Sequence, residues 1–461
     1  MTAAIAGTYL EGVGQRPVGG RGSRAELIVQ LGGPLPEAAS DPIATIRAIA
    51  RDADPGIVAS AGPRYFGFVT GGALPVSVAA DWLTSAWDQN VGLFVMSPAV
   101  AVMEDVVSEW LLDLFGLPAG SSVGFVTGAH LANFTCLAAA RHEVLRRVGW
   151  NVEEDGLQRA PKLTFFVGGD VHISVVGGLR MLGVGTREII RVPADDQGRM
   201  IPGAVADAMN STSGPAVVCA QVGNVSSGAS DPIGEIAAAA HARGAWLHVD
   251  GAFGLWAAAV PELRHQVDGL ASADSWTTDA HKWLNVPYDS GIAIVNNPAP
   301  HRAAMSLHAS YLQRGGDVER NGMDWVPESS RRGRVIPIYA TLRTLGRSGV
   351  QDLVRRNCAS ARRIASRLAA APGVSIRNDV VLNQVLVRFG DDDRITREVI
   401  SRVQTDGTCW AGGATWRNQH VMRISISNWS TTDDDIDRSA EAILKAFSSA
   451  RDAEARDDTR A

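Results

Sequence analysis

Lysine is scarce in this chain. Of 43 lysines and arginines among 461 residues, only Lys162, Lys282 and Lys445 are lysines. A lysine offers what arginine cannot, an amine that becomes neutral and nucleophilic and can form a Schiff base with a carbonyl. Lys162 lies in the polar lead-in to an apolar run, and Lys445 reads as an exposed position of a late helix. Lys282 is different. It follows His281 in Thr277-Thr278-Asp279-Ala280-His281-Lys282-Trp283-Leu284, between two runs that read as strands.

Three other stretches carry side chains that could serve such an amine. Asp250 closes an apolar run in His248-Val249-Asp250-Gly251-Ala252-Phe253-Gly254. Thr127-Gly128-Ala129-His130 opens a helical pattern, and small residues at a helix start let backbone N–H groups approach an anion. His172 lies in Gly169-Asp170-Val171-His172-Ile173-Ser174. A pyridoxal phosphate site needs a lysine, a carboxylate to keep the pyridine nitrogen protonated, a phosphate cup and a flat group against the ring. Cup, stacking group, carboxylate and lysine occur here in that order.

The elements that must hold these residues follow from periodicity. Leu163–Val167, Glu188–Val192, Ala216–Gln221, Ala245–Val249, Ser275–Thr278 and Gly291–Val295 read as strands, with Ile233–Arg243 as a helix between two of them. Short strands without polar alternation, separated by helices, predict a mainly parallel α/β sheet covered on both faces. Ligands collect at the carboxyl ends of such strands, and Asp170, His172, Asn224, Asp250 and His281 all fall there. Upstream, Trp82, Leu83, Ala86 and Trp87, then Val102, Val106, Trp110 and Leu114, recur at helical spacing. Tyr65-Phe66-Gly67-Phe68 is an aromatic cluster that either packs or contacts a substrate. Strands at Val380–Phe389 and Val421–Ser427 and a helix from Asp433 to Phe447 predict a smaller α+β domain. The charged end, Arg451 to Ala461, reads as a disordered tail. The division expected is an N-terminal arm over 1–78, a large domain over 79–345 and a small one over 346–461.

Composition narrows the function. Net charge is −6, with 46% hydrophobic and 20% charged residues, as in a water-soluble globular protein. With no basic block, nucleic acid is not an expected partner. No apolar run approaches the ~20 residues of a membrane span, and no secretory leader is visible, so a cytoplasmic protein is expected. Cys136, Cys219, Cys358 and Cys409 form no CxxC pair and read as small buried hydrophobes. A nicotinamide-dependent enzyme is disfavoured because Gly177-Gly178 and Gly183-Val184-Gly185 fall short of GxGxxG. No metal site is expected, and a zincin is disfavoured because Arg146, not histidine, follows His142-Glu143 at the fourth place.

The segment His248–Gly254 followed by Ala280-His281-Lys282-Trp283 resembles the signature of the group II pyridoxal-phosphate-dependent amino-acid decarboxylases, the family of the aromatic-amino-acid, histidine and glutamate decarboxylases. The likeness runs from about Pro63 to Asp437, through Ser97-Pro98-Ala99 with Glu104, the Gly223–Asp231 turn and Arg331-Arg332. It implies the aspartate-aminotransferase-like fold (fold type I) with a seven-stranded sheet, a homodimer with active sites at the subunit interface, and an amino-acid substrate. It implies Lys282, His172 and Asp250 as catalytic residues: Lys282 for the Schiff base, Asp250 for the pyridinium and His172 stacked on the ring. Thr127, Gly128, Ala129, His130, Asn224, Ala252, Asp279 and His281 complete the implied cofactor contacts.

The pattern departs from the family in places. Asn224-Val225 stands where the family has Thr-Thr, and His130-Leu131 where Ser-Glu is common. The family's loop tyrosine, which protonates Cα after CO₂ leaves, falls by counting on Gly322, and Tyr311 aligns elsewhere. The leading expectation is decarboxylation of an L-amino acid to its amine. The alternatives are transamination or aldehyde-forming oxidative deamination on the same cofactor, and last a non-catalytic binding protein.

Overall fold

The computed structural model describes residues 1–307 and 319–458. Tyr311 lies outside the described residues. The chain forms two compact units, one of Ala73–Ala361 with Asn378–Val385, the other of Met1–Gly72 with Arg362–Arg377 and Leu386–Ala461.

The first unit is built on seven strands: β1 (Ser122–Val126), β2 (Thr164–Gly168), β3 (Ile189–Val192), β4 (Ala216–Gln221), β5 (Trp246–Asp250), β6 (Ser275–Asp279) and β7 (Gly291–Val295), in the order β1-β7-β6-β5-β4-β2-β3. Every residue of β1, β2, β4, β5, β6 and β7 is buried, which is why these strands read as apolar runs without alternation. Strands β2 to β6 run parallel, whereas β7 is antiparallel to both β6 and β1. Only residues 280–290 join β6 to β7, too few for the crossover that a parallel pair needs. The helix Ala129–Arg146 lies on the sheet through a face of small residues, Ala132, Cys136, Ala139 and Ala140, all fully buried. Phe165, Phe166 and Trp246 fill the strands, and each such side chain stabilises the fold by about 1.5–3 kcal/mol.

Register sets the functional edge. Gln221 pairs with Asp250 and Asp250 with Thr277, so β4 and β5 end level and β6 runs on to Asp279. The antiparallel β7 begins at that same edge, with Gly291 opposite both Asp279 and Val126. A Cβ on Gly291 would collide with the backbone of Gly128. Glycine at both places lets the start of the helix Ala129–Arg146 close onto the end of β6.

The second unit holds an antiparallel sheet of β8 (Val374–Ile376), β9 (Gln384–Phe389), β10 (Gly412–Trp416) and β11 (Gln419–Ser425), ordered β10-β11-β9-β8. Its last helix runs to Asp458. The expected disordered tail is therefore helical over Arg451–Asp458. The reason lies in contacts that composition does not reveal: Arg451 lies over the Phe447 ring, and Glu454 pairs with Arg394 at 2.7 Å.

The expected helix forms as Pro98–Phe115 and buries Val100, Glu104, Val107 and Leu111. Its inward face carries an ion pair. Glu104 is fully buried, 2.6 Å from Arg331 Nη2 and 2.9 Å from Arg320 Nε. Burial alone would raise its carboxyl, but the two guanidinium groups outweigh that and hold it below the usual carboxylate range. Gly322, expected on an open loop, is buried in the 3-10 turn Gly322–Asp324 beside this cluster. A Cβ there would run into Arg331 Nη1 and the Val91 carbonyl, so the position has no room for a tyrosine. Gly322→Ala should destabilise the protein by about 1–3 kcal/mol, read as a lower urea midpoint at unchanged slope. A variant melting with the wild type would show that the turn is not packed as described.

Candidate active site

The edge defined by β1, β7, β6 and β5 carries the lysine. Its segment doubles back tightly. Ala280 and His281 donate their N–H groups to Ser290 O, Asn285 N–H donates to Lys282 O, and Val286 N–H to Ala280 O. Asn285 takes φ +58°, a conformation asparagine tolerates better than most residues. Trp283 is buried and donates from Nε1 to Asn357 Oδ1 at 2.9 Å, which anchors the residue after the lysine.

Lys282 Nζ stands 3.0 Å from Asp279 Oδ2. Burial pushes its amine pKa down, but Asp279, with a contribution from Asp250, more than reverses this and holds the ammonium above its ordinary value. The other oxygen, Asp279 Oδ1, accepts the N–H of Ala129 at 2.6 Å. His281 Nδ1 accepts the Ser290 N–H at 3.0 Å, and its Nε2 faces Asp279 Oδ1 at 3.5 Å. Burial lowers the His281 pKa.

Thr127 and Gly128 link β1 to the helix Ala129–Arg146, whose N-cap, Gly128, has no side chain to cap it. The first intrahelical bond runs from Ala132 N–H to Gly128 O. The N–H groups of His130 and Leu131 are thus open to an anion, as at other uncapped helix starts. The His130 ring lies against Gly177, where a Cβ would meet Nε2 at 2.6 Å. Leu131 was not among the expected contacts, because a backbone donor leaves no mark on residue type.

Asp250, the last residue of β5, is buried with its carboxylate fully engaged. Oδ2 accepts from Asn133 Nδ2 at 3.0 Å, with Ser174 Oγ at 3.4 Å, and Oδ1 accepts the Ala252 N–H at 3.1 Å. Ala252 O in turn accepts the Asp279 N–H. His172 caps the helix Ile173–Met181: its Nδ1 accepts the Ser174 N–H at 3.2 Å and lies 2.7 Å from Ser174 Oγ. That leaves the ring proton on Nε2. Asn224 Oδ1 is committed to its own turn, accepting the N–H groups of Ser226 and Ser227.

Behind Asp250 runs a relay that the motif reading missed. Trp246 Nε1–H donates to Ser275 Oγ at 2.9 Å, so the serine proton goes to His248 Nδ1, also 2.9 Å away. His248 Nε2–H then donates to Asn133 Oδ1 at 2.8 Å, which turns the Asn133 amide towards Asp250. Burial pushes the His248 pKa down to about 4, against the pull of Asp250, so the imidazole is neutral at pH 7. Asn133 and Ser275 meet His248 only through the sheet register, His248 opposite Ser275. Among the described residues, no cluster of three or more His, Cys, Asp or Glu could hold a metal, and no helix is long and apolar enough to cross a membrane. All four cysteines are buried, and none is in a disulfide among the described residues.

A mainly parallel sheet presenting a largely shielded lysine, a carboxylate locked as an acceptor and an uncapped helix start is suited to an anionic aldehyde. Residues 32–389 match the pyridoxal-dependent decarboxylase conserved domain, and the chain belongs to that family. It is a pyridoxal-phosphate-dependent amino-acid decarboxylase, a carboxy-lyase. The chain is 27% identical to 4-hydroxyphenylacetaldehyde synthase of Rhodiola rosea, across 83% of its own length and 80% of the relative's. It is 26% identical to tryptophan decarboxylase 1 of Oryza sativa subsp. japonica, across 87% and 83%. The fold matches the crystal structure of Oryza sativa TDC with PLP and tryptamine at a TM-score of 0.91 and 23% identity, covering 97% of this chain and 96% of that one. Mouse CSAD matches at 0.89 and 21%, covering 97% and 98%.

The neutral state of His248 gives a pH signature. Its folded pKa, about 4, lies below the ordinary 6.5. The stability it confers is complete above pH 6.5 and is lost as pH falls towards 4, at up to about 1.4 kcal/mol per pH unit. His248→Gln keeps an amide donor for Asn133 but cannot titrate. The stability gap between wild type and variant, from urea unfolding, should narrow between pH 6.5 and 4. A gap constant with pH would mean that His248 is not held neutral.

Proposed function

We propose that Lys282 is the residue that holds pyridoxal phosphate covalently and that Asp250 is its ring partner, in a homodimeric decarboxylase of L-amino acids. The observation that carries this is the pairing of a largely shielded lysine with a carboxylate held by the Asn133 amide and the Ala252 N–H at one sheet edge. The residues fit the group: an ammonium for the aldehyde end, an anion for the ring nitrogen, and uncapped N–H groups for the phosphate. When bound, pyridoxal phosphate supplies a carbonyl that an amine can hold and a protonated ring that withdraws electrons as the carboxylate leaves.

The chain's own residues divide the remaining work. His130 and Leu131 N–H, with Ala129 N–H once Asp279 yields it, would hold the phosphate at the helix start. Asp250, held in place by the Asn133 amide and the Ala252 N–H, would keep a proton on the ring nitrogen. His172 and Ala252 would confine the ring between them. Asp279 orients Lys282 and, with Thr127, Gly128 and His281, would close the phosphate end. Asn224, its oxygen committed to a turn, has only its amide to contribute. The relatives act on no single kind of side chain, so the reading stops at the amino acid.

Dimerisation is supported by apolar surface on single elements. Trp82, Leu83 and Trp87 are exposed on the helix Pro75–Trp87, and Ile43, Ile46 and Ile49 on the helix Pro42–Ala53. Isolated exposed apolar residues are ordinary, but helical stripes of this kind are contact surfaces.

Borohydride treatment of the yellow protein should fix the cofactor to the peptide carrying Lys282. A label on Lys162 or Lys445 would overturn the assignment. Asp250→Asn should retain the cofactor yet lose CO₂ release, because an amide cannot keep the ring nitrogen protonated. Near-normal turnover would mean that another carboxylate does this.

Trp87→Asp with Trp82→Asp should turn a dimer into a monomer in sedimentation velocity while leaving the far-ultraviolet spectrum unchanged. A wild type already monomeric would remove the dimer from this reading.

A further inference from the structure

Loss of CO₂ leaves an electron pair at the substrate's Cα, and the amine forms only when a proton arrives there. The need for an acid at that atom rests on the decarboxylase reading. A positioned acid accelerates such a transfer by roughly 10²–10⁴-fold. Gly322 can supply none. The chain has five tyrosines, and Tyr311 lies outside the described residues. Tyr9 sits beside Arg16, Tyr65 stacks on Trp410 and Tyr339 stacks on Trp110. Tyr288 alone among the described tyrosines belongs to the lysine's own segment.

Its placement is specific. The Tyr288 ring stacks on His281, the residue before Lys282, with centroids 4.3 Å apart and planes 29° from parallel. The turn that returns it there is pinned on both sides, by the Asn285 and Val286 bonds to Lys282 O and Ala280 O and by the Ser290 N–H on His281 Nδ1. Arg334 holds the next residue, Asp289, at 3.0 Å. Tyr288 is 61% exposed, and its hydroxyl has no hydrogen-bond partner among the described residues. The stack on His281 needs only the ring. The hydroxyl is an addition that the packing does not explain.

We propose that Tyr288 is the acid that protonates Cα. The bond between Cα and the carboxylate carbon breaks, CO₂ leaves, and its bonding pair stays with the substrate. The phenolic O–H bond breaks as a Cα–H bond forms with that pair. The phenolate then regains a proton from water at its exposed side. The balance is one amino acid and one proton in, one amine and one CO₂ out, with no oxidant or reductant.

The test is Tyr288→Phe, which keeps the ring on His281 and removes only the hydroxyl. Equilibrium binding of pyridoxal phosphate to the cofactor-stripped protein should be unchanged. The kcat should fall roughly 10²-fold with KM little altered. In D₂O the wild type should place one deuterium at Cα in a single configuration, and the variant should give a mixture as water protonates from either side. Tetranitromethane should nitrate Tyr288 in the cofactor-stripped protein, and bound pyridoxal phosphate should protect it. Unchanged kcat and configuration in the variant, or nitration indifferent to the cofactor, would overturn the assignment. A wild type that releases no CO₂ from any amino acid would bring down the decarboxylase reading together with this one. A wild type that does, matched by Tyr288→Phe, would bring down this one alone.

Discussion

A carboxylate as buried as Asp279 needs a cation, and Lys282, largely shielded from water itself, is the one beside it. Removing one partner of a buried ion pair typically costs about 3–5 kcal/mol, because the other charge is stranded. Asp279 holds the lysine with one oxygen and the Ala129 N–H with the other. One carboxylate thus ties the lysine to a helix start that lies 150 residues earlier in the chain. The tie is possible only because β7 runs antiparallel between β1 and β6, and because glycine at 128 and 291 lets the two backbones approach. The arrangement also explains how a charged lysine can wait in a site meant for an anionic ligand. Until a phosphate arrives, the cup's negative charge is supplied from within the chain.

Asp250 solves the complementary problem, that of an anion which must stay an anion. The Asn133 amide and the Ala252 N–H both donate to it, and the direction of the Asn133 bond is not left to chance. The Trp246 indole can only donate, which forces the Ser275 proton onto His248, the His248 proton onto Asn133, and the Asn133 amide onto Asp250. A fully satisfied buried network of this kind specifies one arrangement. It also makes His248 a structural histidine, neutral by burial, in a site where a histidine beside an aspartate invites a catalytic reading.

How much of this was legible in the sequence depended on whether the signal was local. The strands were legible because burial on both faces leaves them apolar, and Lys282 and Asp250 because lysine is rare and the motif flanks are specific. The antiparallel β7 follows from the shortness of 280–290, a length the strand reading contained but did not use. The relay was not legible: Asn133, His248 and Ser275 come from a helix and two strands, and only the register joins them. Glu104 was visible in its motif, but an apolar count cannot see the buried ion pair it makes. Gly322 was misread for a similar reason. Counting along the chain fixes a position but not its burial, and the glycine there answers to Arg331 and the Val91 carbonyl.

The same short connection that reverses the chain between β6 and β7 also brings Tyr288 back over His281. An acid carried on the lysine's own segment differs physically from one carried on a separate loop. Its distance to the amine is set by the bonds within 280–290, and Trp283 and Arg334 anchor that segment to the body of its unit. No closure step has to precede proton delivery, and little ordering entropy is lost each turnover. The corresponding disadvantage is exposure. Tyr288 is open to solvent on one side, so water competes for Cα unless the bound substrate or a second subunit covers that side.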